Sequence, residues 1–487
     1  MFAIRSKDPN VISTPIVVDL DGTLIRTDML HESALQACRN SPVCLLQIPT
    51  WLLKGKAALK SHLADRFQFD AAFLPYHDDL LHWLRDQRNE GRKVVLCTAS
   101  DMSIAEAIAR HLDLFDDILA SDGRVNLAGT CKAQVLESRF GKNGFDYVGN
   151  SHSDLKVWES ARRGIVVNAS PYVTKQAKLA CVVERIFPRA KLSLKEWCRS
   201  LRIHQWLKNA LLFVPLIASH QLQNGIAWAA LIAAFFAFSL CASSVYVTND
   251  LMDLESDRKH PRKRHRPFAA GLMPPWIGVA LAPILLTASL VLSQYIDGTF
   301  TVWLLSYFAL TCAYSGGLKR LVLVDCLVLA VLYTMRIVAG AAAVQIDLSY
   351  WLLAFSGFLF LSLAFIKRYA ELLVHQAQGR EAAHGRGYVI EDASLIEMFG
   401  VTSGYASAIV LALYLHSDTA VKLYSAPEVI WAAVPVVLFW ISWMWLKTHR
   451  GEMHDDPVLF AVRDRASLIA GAMFVGVLTL GTFGGQW

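Results

Sequence analysis

From about Trp206 to its end, this chain of 487 residues is a series of long apolar runs joined by short polar connections. A helix of about 20 apolar residues crosses a bilayer. Inside hydrocarbon only helices and closed barrels satisfy their own backbone hydrogen bonds. The second half is therefore predicted to be an all-α, multi-span membrane domain. About nine transmembrane helices are expected, near 206–220, 226–248, 274–294, 299–315, 321–345, 349–366, 398–416, 427–447 and 465–484, the first and fourth being short. Up to about Arg189 the chain reads instead as a soluble, charged α/β sequence. Over the whole chain 18% of residues are charged, against about 25% in soluble proteins.

Lysine and arginine mark the cytoplasmic side of a membrane protein. The connections "HQLQNG", "QYIDG" and "QIDLS" contain neither, whereas the alternate ones, "DRKHPRKRHR", "GGLKR", "KRYAELLVHQAQGREAAHGRGY" and "KTHRGEMHDDPVLFAVRDR", are basic. "KLSLKEWCRSLR", before the first span, is basic too. All the basic connections fall on the side of the N-terminal half, and nine spans leave Trp487 on the other. The first residues lack the apolar core and cleavage site of a signal peptide. The expectation is an integral protein of the (inner) cell membrane with the N-terminal half and basic loops cytoplasmic. The nine cysteines contain no C-x-x-C pair, which fits a reducing compartment. The net charge of +6 clusters near span ends, so topology accounts for it and no nucleic acid partner is expected.

In the first half, Ile16 to Val18 runs into "DLDGTL", "KVVLCTAS" occupies 93–100 and "FDYVGNSHSD" occupies 145–154. Strand-like runs alternating with helical stretches predict a Rossmann-type parallel sheet with helices on both faces. Polar chemistry then collects at the carboxyl ends of the strands. The predicted boundaries are 1–185 for this α/β domain, with a helical cap at about 30–80, then 186–200 for a linker or interfacial segment and 201–487 for the membrane domain. Asp19 and Asp21, two apart, share a face if the strand continues, and Gly22 and Thr23 permit a turn. One carboxylate can act as nucleophile while the other moves a proton. The cap segment "VCLLQIPTWLL" is too short to span and reads as cap core, the alternative being contact with the membrane.

Thr98 at the end of the second run, Lys132 in "GTCKAQVLE" and Asp154 in "GNSHSD" complete a set that resembles the haloacid dehalogenase (HAD) superfamily of phosphatases over roughly residues 14–170. The resemblance implies Asp19 as the phosphoryl-accepting nucleophile and Asp21 as general acid/base. It implies Thr98 and Lys132 as holders of the phosphoryl oxygens, and Mg²⁺ bound by Asp19, the Asp21 carbonyl and Asp154. Asn150 stands where the family usually has Asp, which removes a charge from the metal site.

The membrane half carries its own acids. Asn249, Asp250, Asp253 and Asp257 are spaced i, i+1, i+4 and i+8, which places them on one helix face. Carboxylates at membrane depth are costly and usually functional. Grouped carboxylates hold Mg²⁺ together with a substrate's phosphates. Arg258 and Arg266, in the basic run that follows, can meet phosphate oxygens, while topology explains the same run equally well. The N-D-x-x-D-x-x-x-D pattern and the span count resemble the UbiA superfamily of intramembrane prenyltransferases over roughly residues 195–487. That family normally sets a second polar cluster opposite the first. Here Tyr314, Lys319, Asp325 and Arg336 are its polar members, and Leu329 stands where a second aspartate is common.

"RIHQWLKNALLFVPL", "NDLMDLESDRKHPRKRHRPFAAG" and "DDPVLFAVRDRAS" are similar to the decaprenyl-phosphate phosphoribosyltransferase branch of that superfamily. The branch implies phosphoribosyl pyrophosphate (PRPP) and a polyprenyl phosphate as substrates. Lys208, Asn209, Lys367 and Arg368 are then candidate phosphate holders, or else interfacial residues whose heads reach water. The resulting expectation is a bifunctional, Mg²⁺-dependent membrane enzyme. It would transfer 5-phosphoribose from PRPP to the lipid phosphate with release of diphosphate, and its HAD-like domain would remove the 5-phosphate. The alternatives are a prenyltransferase joining an isoprenyl diphosphate to an aromatic or lipophilic acceptor, and a non-catalytic ion- or lipid-binding scaffold or transporter. A homo-oligomer is compatible with either.

Overall fold

The computed structural model describes residues 14–41, 43–377, 387–453 and 456–484. The first thirteen residues, part of the connection that begins at Lys367, Asp455 and Trp487 lie outside the described residues. The chain forms two compact units, residues 1–201 with 247–282 and residues 202–246 with 283–487.

The first unit is built on six parallel strands: β1 (Ile16–Val18), β2 (Val94–Asp101), β3 (Asp117–Ser121), β4 (Asp146–Gly149), β5 (Arg163–Val167) and β6 (Val182–Phe187). Their order is β3-β2-β1-β4-β5-β6. Strand β1 pairs with β2 and β4, in register from Ile16 against Val94 and Asp146. Successive side chains of a strand face opposite ways. Ile16, Val18 and Leu96 therefore enter one apolar layer, with Leu80, Leu84 and Ile108, while Val17, Val95 and Cys97 enter the other, with Leu136 and Trp158. Burial on both faces explains why β1 is an unbroken apolar triplet. The sheet reverses its order between β1 and β4, where open α/β sheets bind ligands.

Between β1 and β2 lie the cap helices α1 (Met29–Asn40), α2 (Cys44–Leu53) and α3 (Lys56–Ala64). Asp28 caps α1, accepting from the backbone N–H of Leu30 and His31. In the region predicted as a linker, β6 runs to Phe187 and a helix spans Leu194–Ser200, with Ser193 and Glu196 forming a capping box.

The second unit is helical. Seven helices among the described residues are long and apolar enough to cross a membrane: Gly225–Met252, Pro275–Ser293, Val324–Ala343, Tyr350–Ala377, Ile390–Leu415, Pro427–His449 and Arg465–Phe483. They correspond to seven of the nine expected spans. The other two differ for local reasons. Residues 206–220 form a 3₁₀ stretch, Ile203–Phe213, and a short helix, Val214–Ala218, because the run contains buried Lys208 and Asn209 and then Pro215. Residues 299–315 lie in a helix, Gly298–Gly316, diluted by Thr299, Thr301, Ser306, Thr311 and Ser315. The expected span 349–366 continues to Ala377, so Lys367 and Arg368 lie within a helix and not after it.

Candidate active sites

The chain leaves β1 at Val18, so Asp19 and Asp21 do not continue a strand; they are brought together by a tight turn. Gly22 adopts φ +71°, a conformation open to glycine without strain. A Cβ there would lie 2.1 Å from the Asn150 amide nitrogen. Asp19 is buried and accepts a hydrogen bond from Lys132 Nζ at 2.6 Å. Lys132 also donates to Tyr147 Oη at 3.1 Å, and Tyr147 donates to Asp154 Oδ1 at 2.7 Å. The other Asp154 oxygen accepts from the backbone of Asn150 and Ser151 and from the Ser151 hydroxyl. Thr98 is fully buried, its hydroxyl accepting from the Ser100 N–H at 3.0 Å. Asp19, Thr98, Lys132 and Asp154 thus gather at one end of the sheet.

Asp21 is held differently. One carboxylate oxygen accepts from the Met29 N–H at 2.8 Å and the other from the Ser100 hydroxyl at 2.6 Å. Burial, reinforced by the Asp28 charge, pushes its carboxyl up to about 7. Asp19 is pushed up to about 6 by burial, which outweighs the opposing pull of Lys132. Two carboxyls with separate environments can divide nucleophile and proton-donor roles. Lys60 of α3 joins from the cap, donating to the Ala99 carbonyl at 2.6 Å and to Asn126 Oδ1 at 3.2 Å. Burial lowers its pKa, while Asp21 and Asp28 oppose that shift.

The donor set suits a hard divalent cation. Asp154 raises the pKa of Asp19 by repulsion, and Lys132 is the ammonium bonded to Asp19, so two buried carboxylates share one cation. Asp19 Oδ2 takes a long contact from Thr23, at 3.4 Å. Mg²⁺ prefers such oxygen ligands supplemented by water and substrate phosphate. No cluster of three or more His, Cys, Asp or Glu side chains is preassembled among the described residues. Tyr147, Ser100 and Lys60 escaped sequence reasoning, because one tyrosine or serine in a strand, or one lysine in a helix, carries no spacing signal.

The acidic segment 249–257 belongs to the first unit. Its helical hydrogen bonds continue through a distorted residue, Asp253: Asp253 N–H to Asn249 O at 2.9 Å and Asp257 N–H to Asp253 O at 2.8 Å. Asp250 and Asp257, two turns apart, converge on Arg266 Nη1 at 2.9 and 2.6 Å. Burial raises the Asp257 pKa, and Arg266 counters it. Of the four residues expected on one face, the structure brings Asp250 and Asp257 together, with a guanidinium between their carboxylates. Asn249 and half-buried Asp253 sit on the same segment. Arg258 is different from the expectation. It is buried, donating both terminal nitrogens to Glu32 of α1 at 2.6 and 2.7 Å and its Nε to the Ala269 carbonyl. A guanidinium committed to a bidentate carboxylate is not available to phosphate. Gly271, at φ +66°, lets this loop approach the turn after β1, since a Cβ there would lie 2.7 Å from the Arg26 Cβ.

In the second unit, buried Lys208 pairs with Asp456 at 2.5 Å, Lys367 reaches the same carboxylate at 3.8 Å, and Tyr333 donates to it at 3.2 Å. Burial pushes the Asp456 carboxyl up, but Lys208 and Lys367 outweigh it and hold it well below the usual carboxylate range. Asn209 donates to Ser239 and accepts from Arg336, which also donates to Tyr307. Asp325 and Arg368 differ from the expectation: both are fully buried and pair at 2.5 Å, with Tyr388 donating to Asp325 and Glu371 also bound to Arg368. Each neutralises the other. Tyr314 and Lys319 are half-buried, and Tyr314 lies within electrostatic reach of Lys367, Arg368 and Asp325. Asp456 was missed although its motif was read. The Asp-Pro pair looks like an ordinary helix start, and Asp456 does cap the helix Pro457–Ala461.

Comparison with known proteins gives this geometry its context. Residues 211–468 match the UbiA prenyltransferase family and residues 16–159 the haloacid dehalogenase-like hydrolases. The chain is 37% identical over 469 residues to the uncharacterized protein y4nM of Sinorhizobium fredii, covering 96% of this chain and 90% of that one. It is 38% identical to nodulation protein NoeC of Azorhizobium caulinodans, over 58% of this chain and 91% of that protein. It is 31% identical to the decaprenyl-phosphate phosphoribosyltransferase of Mycolicibacterium smegmatis, over 58% of this chain and 90% of that one. The chain belongs to the UbiA prenyltransferase family, as an integral membrane protein whose UbiA domain is fused to an N-terminal haloacid dehalogenase-like domain.

Proposed function

We propose that this protein transfers 5-phosphoribose from PRPP to a polyprenyl phosphate and then removes the 5-phosphate. The observation that carries the transfer step is the convergence of Asp250 and Asp257 on Arg266, in a chain similar to enzymes named decaprenyl-phosphate phosphoribosyltransferase. In this reading the lipid phosphate oxygen attacks C1 of PRPP, the C1–O bond to diphosphate breaks, and no proton need move. Asp250, Asp253 and Asp257 would hold Mg²⁺, which supplies charge neutralisation for the leaving diphosphate. Arg266, already among the carboxylates, would turn to the diphosphate oxygens. The cations Lys208, Arg336 and Lys367, with the amide of Asn209, would hold the lipid phosphate.

The phosphatase step follows from the first site. An Asp19 oxygen forms a bond to phosphorus as the bond to the ribose 5-oxygen breaks. Asp21 gives that oxygen its proton, and as carboxylate then takes one from the water that releases phosphate. Lys132 and Thr98 hold the phosphoryl oxygens. Mg²⁺ at Asp19, the Asp21 carbonyl and Asp154 would offset the charge of the two anions that meet there. The lysine and arginine distribution supports a cytoplasmic side for both steps, with Gln221–Asn224 on the other.

The burial of Asp325 against Arg368 argues against the aromatic prenyltransferase reading, which needs a second metal-binding acid there. Incubation with labelled PRPP and polyprenyl phosphate tests the proposal. Mg²⁺-dependent label in the lipid phase with release of diphosphate is expected. Turnover of an isoprenyl diphosphate with an aromatic acceptor, and none of PRPP, would overturn it.

A further inference from the structure

The cap helix α2 has two unlike faces. Cys44 and Trp51, seven apart, are buried with Ala37, Leu59 and Leu63 in the small cap core. Leu46 and Leu53, also seven apart, lie half a turn round and are 78% and 89% exposed. Pro49 lies between them on the same side, and Val43 just before the helix is 61% exposed. The segment was expected to be cap core; only one of its faces is. At the helix end stand Lys54 and Lys56, both exposed.

The position of α2 is fixed by its neighbour. Arg39, near the end of α1, donates to the carbonyl of Met252 at 2.9 Å, and Met252 is the last residue of the candidate span Gly225–Met252. Gln36 donates to Glu255, three residues further on. Arg39 and Cys44 are five positions apart, a reach of at most about 18 Å. Helix α2 itself is only about 15 Å long. An apolar face this close to the end of a candidate span, followed by two lysines, has the composition of an interfacial segment. At a bilayer interface leucine side chains enter the acyl boundary and ammonium groups meet anionic headgroups.

We propose that α2 is an interfacial membrane anchor of the cap, and that the surface covering Leu46, Pro49 and Leu53 is lipid. The anchor would hold the cap at the level where a lipid-borne headgroup leaves the bilayer. This inference stands on exposure and placement and does not depend on either proposed reaction.

The test places the photoreactive residue p-benzoylphenylalanine at position 46 or position 53 of the full chain, in vesicles of phosphatidylethanolamine and phosphatidylglycerol. Position 85, where exposed Arg85 lies in the helix Asp78–Asn89 outside the α2 segment, serves as control. Both sites are on the surface, so substitution leaves the core intact. Irradiation should yield lipid adducts at 46 and 53 and none at 85, and adding Leu53→Glu should remove the adduct at 46. Absence of lipid adducts at 46 and 53 would overturn the proposal. So would adducts that join two copies of the chain, which would make the face a protein interface.

Discussion

Asp21 is the residue whose chemistry is most sharply set by its surroundings. An ordinary aspartate titrates near about 4; burial and Asp28 push Asp21 up to about 7, and burial pushes Asp19 up to about 6. Between those values and about 4 the folded state binds more protons than the unfolded chain. Stability of the first unit therefore rises as pH falls through that window, the slope being negative when the native state holds the extra protons. In metal-free protein, the melting temperature of this unit should rise from pH 8 to pH 5. Asp21→Asn should flatten that rise and abolish phosphate release. Equal slopes in wild type and variant would show that Asp21 is not a strained acid. The pair D-x-D and its glycine were legible because their spacing is a chemical signal. Tyr147 and Lys60 were not, since their roles arise only when β4 and α3 fold against the site.

At the scale of elements, β1, β2 and β4 were legible as apolar runs because both their faces are buried. Strands β3, β5 and β6 were missed. The first is half-exposed along most of its length and the last is an edge strand with exposed Val182, Glu184, Arg185 and Ile186, so neither presents the same run. The basic run of the loop reads from sequence either as a phosphate-binding surface or as a topology signal, yet one of its arginines pairs with the cap. Arg258 and Glu32 lie 226 positions apart, and no local pattern couples a helix in a cap to a loop between spans. Breaking a buried, bidentate pair leaves an uncompensated charge and costs about 3–5 kcal/mol. Glu32→Gln and Arg258→Met should each destabilise the first unit by roughly that order, and the double variant by much less than their sum. Chemical unfolding of the four proteins measures the coupling. Additive losses would mean that the pair contributes nothing beyond its separate residues.

For the whole molecule, composition divided the chain correctly into an α/β half and an apolar half, because hydropathy reports solvent directly. Seven of the nine expected spans are long apolar helices among the described residues; near 206–220 a window of apolar residues does not register how Pro215 or buried Lys208 and Asn209 alter local backbone. Nor could it anticipate that residues 247–282 group with the phosphatase-like domain. That grouping gives the fusion a physical meaning. The loop bearing Asp250 and Asp257 and the helix bearing Glu32 share one compact unit, and Asp19 lies in that unit too. Two sites on one chain also act at an effective concentration far above that of separate proteins, in the millimolar range for short connections.

The central claim is that one chain makes a phosphorylated ribosyl lipid and then dephosphorylates it. Mass spectrometry of lipids extracted after incubation with PRPP, Mg²⁺ and polyprenyl phosphate tests this directly, with wild type and Asp19→Asn run side by side. Wild type should give the ribosyl lipid and inorganic phosphate. Asp19→Asn lacks the nucleophile and should consume PRPP while accumulating the 5-phosphorylated lipid. The same phosphorylated lipid from both proteins, with no phosphate released by either, would contradict the account.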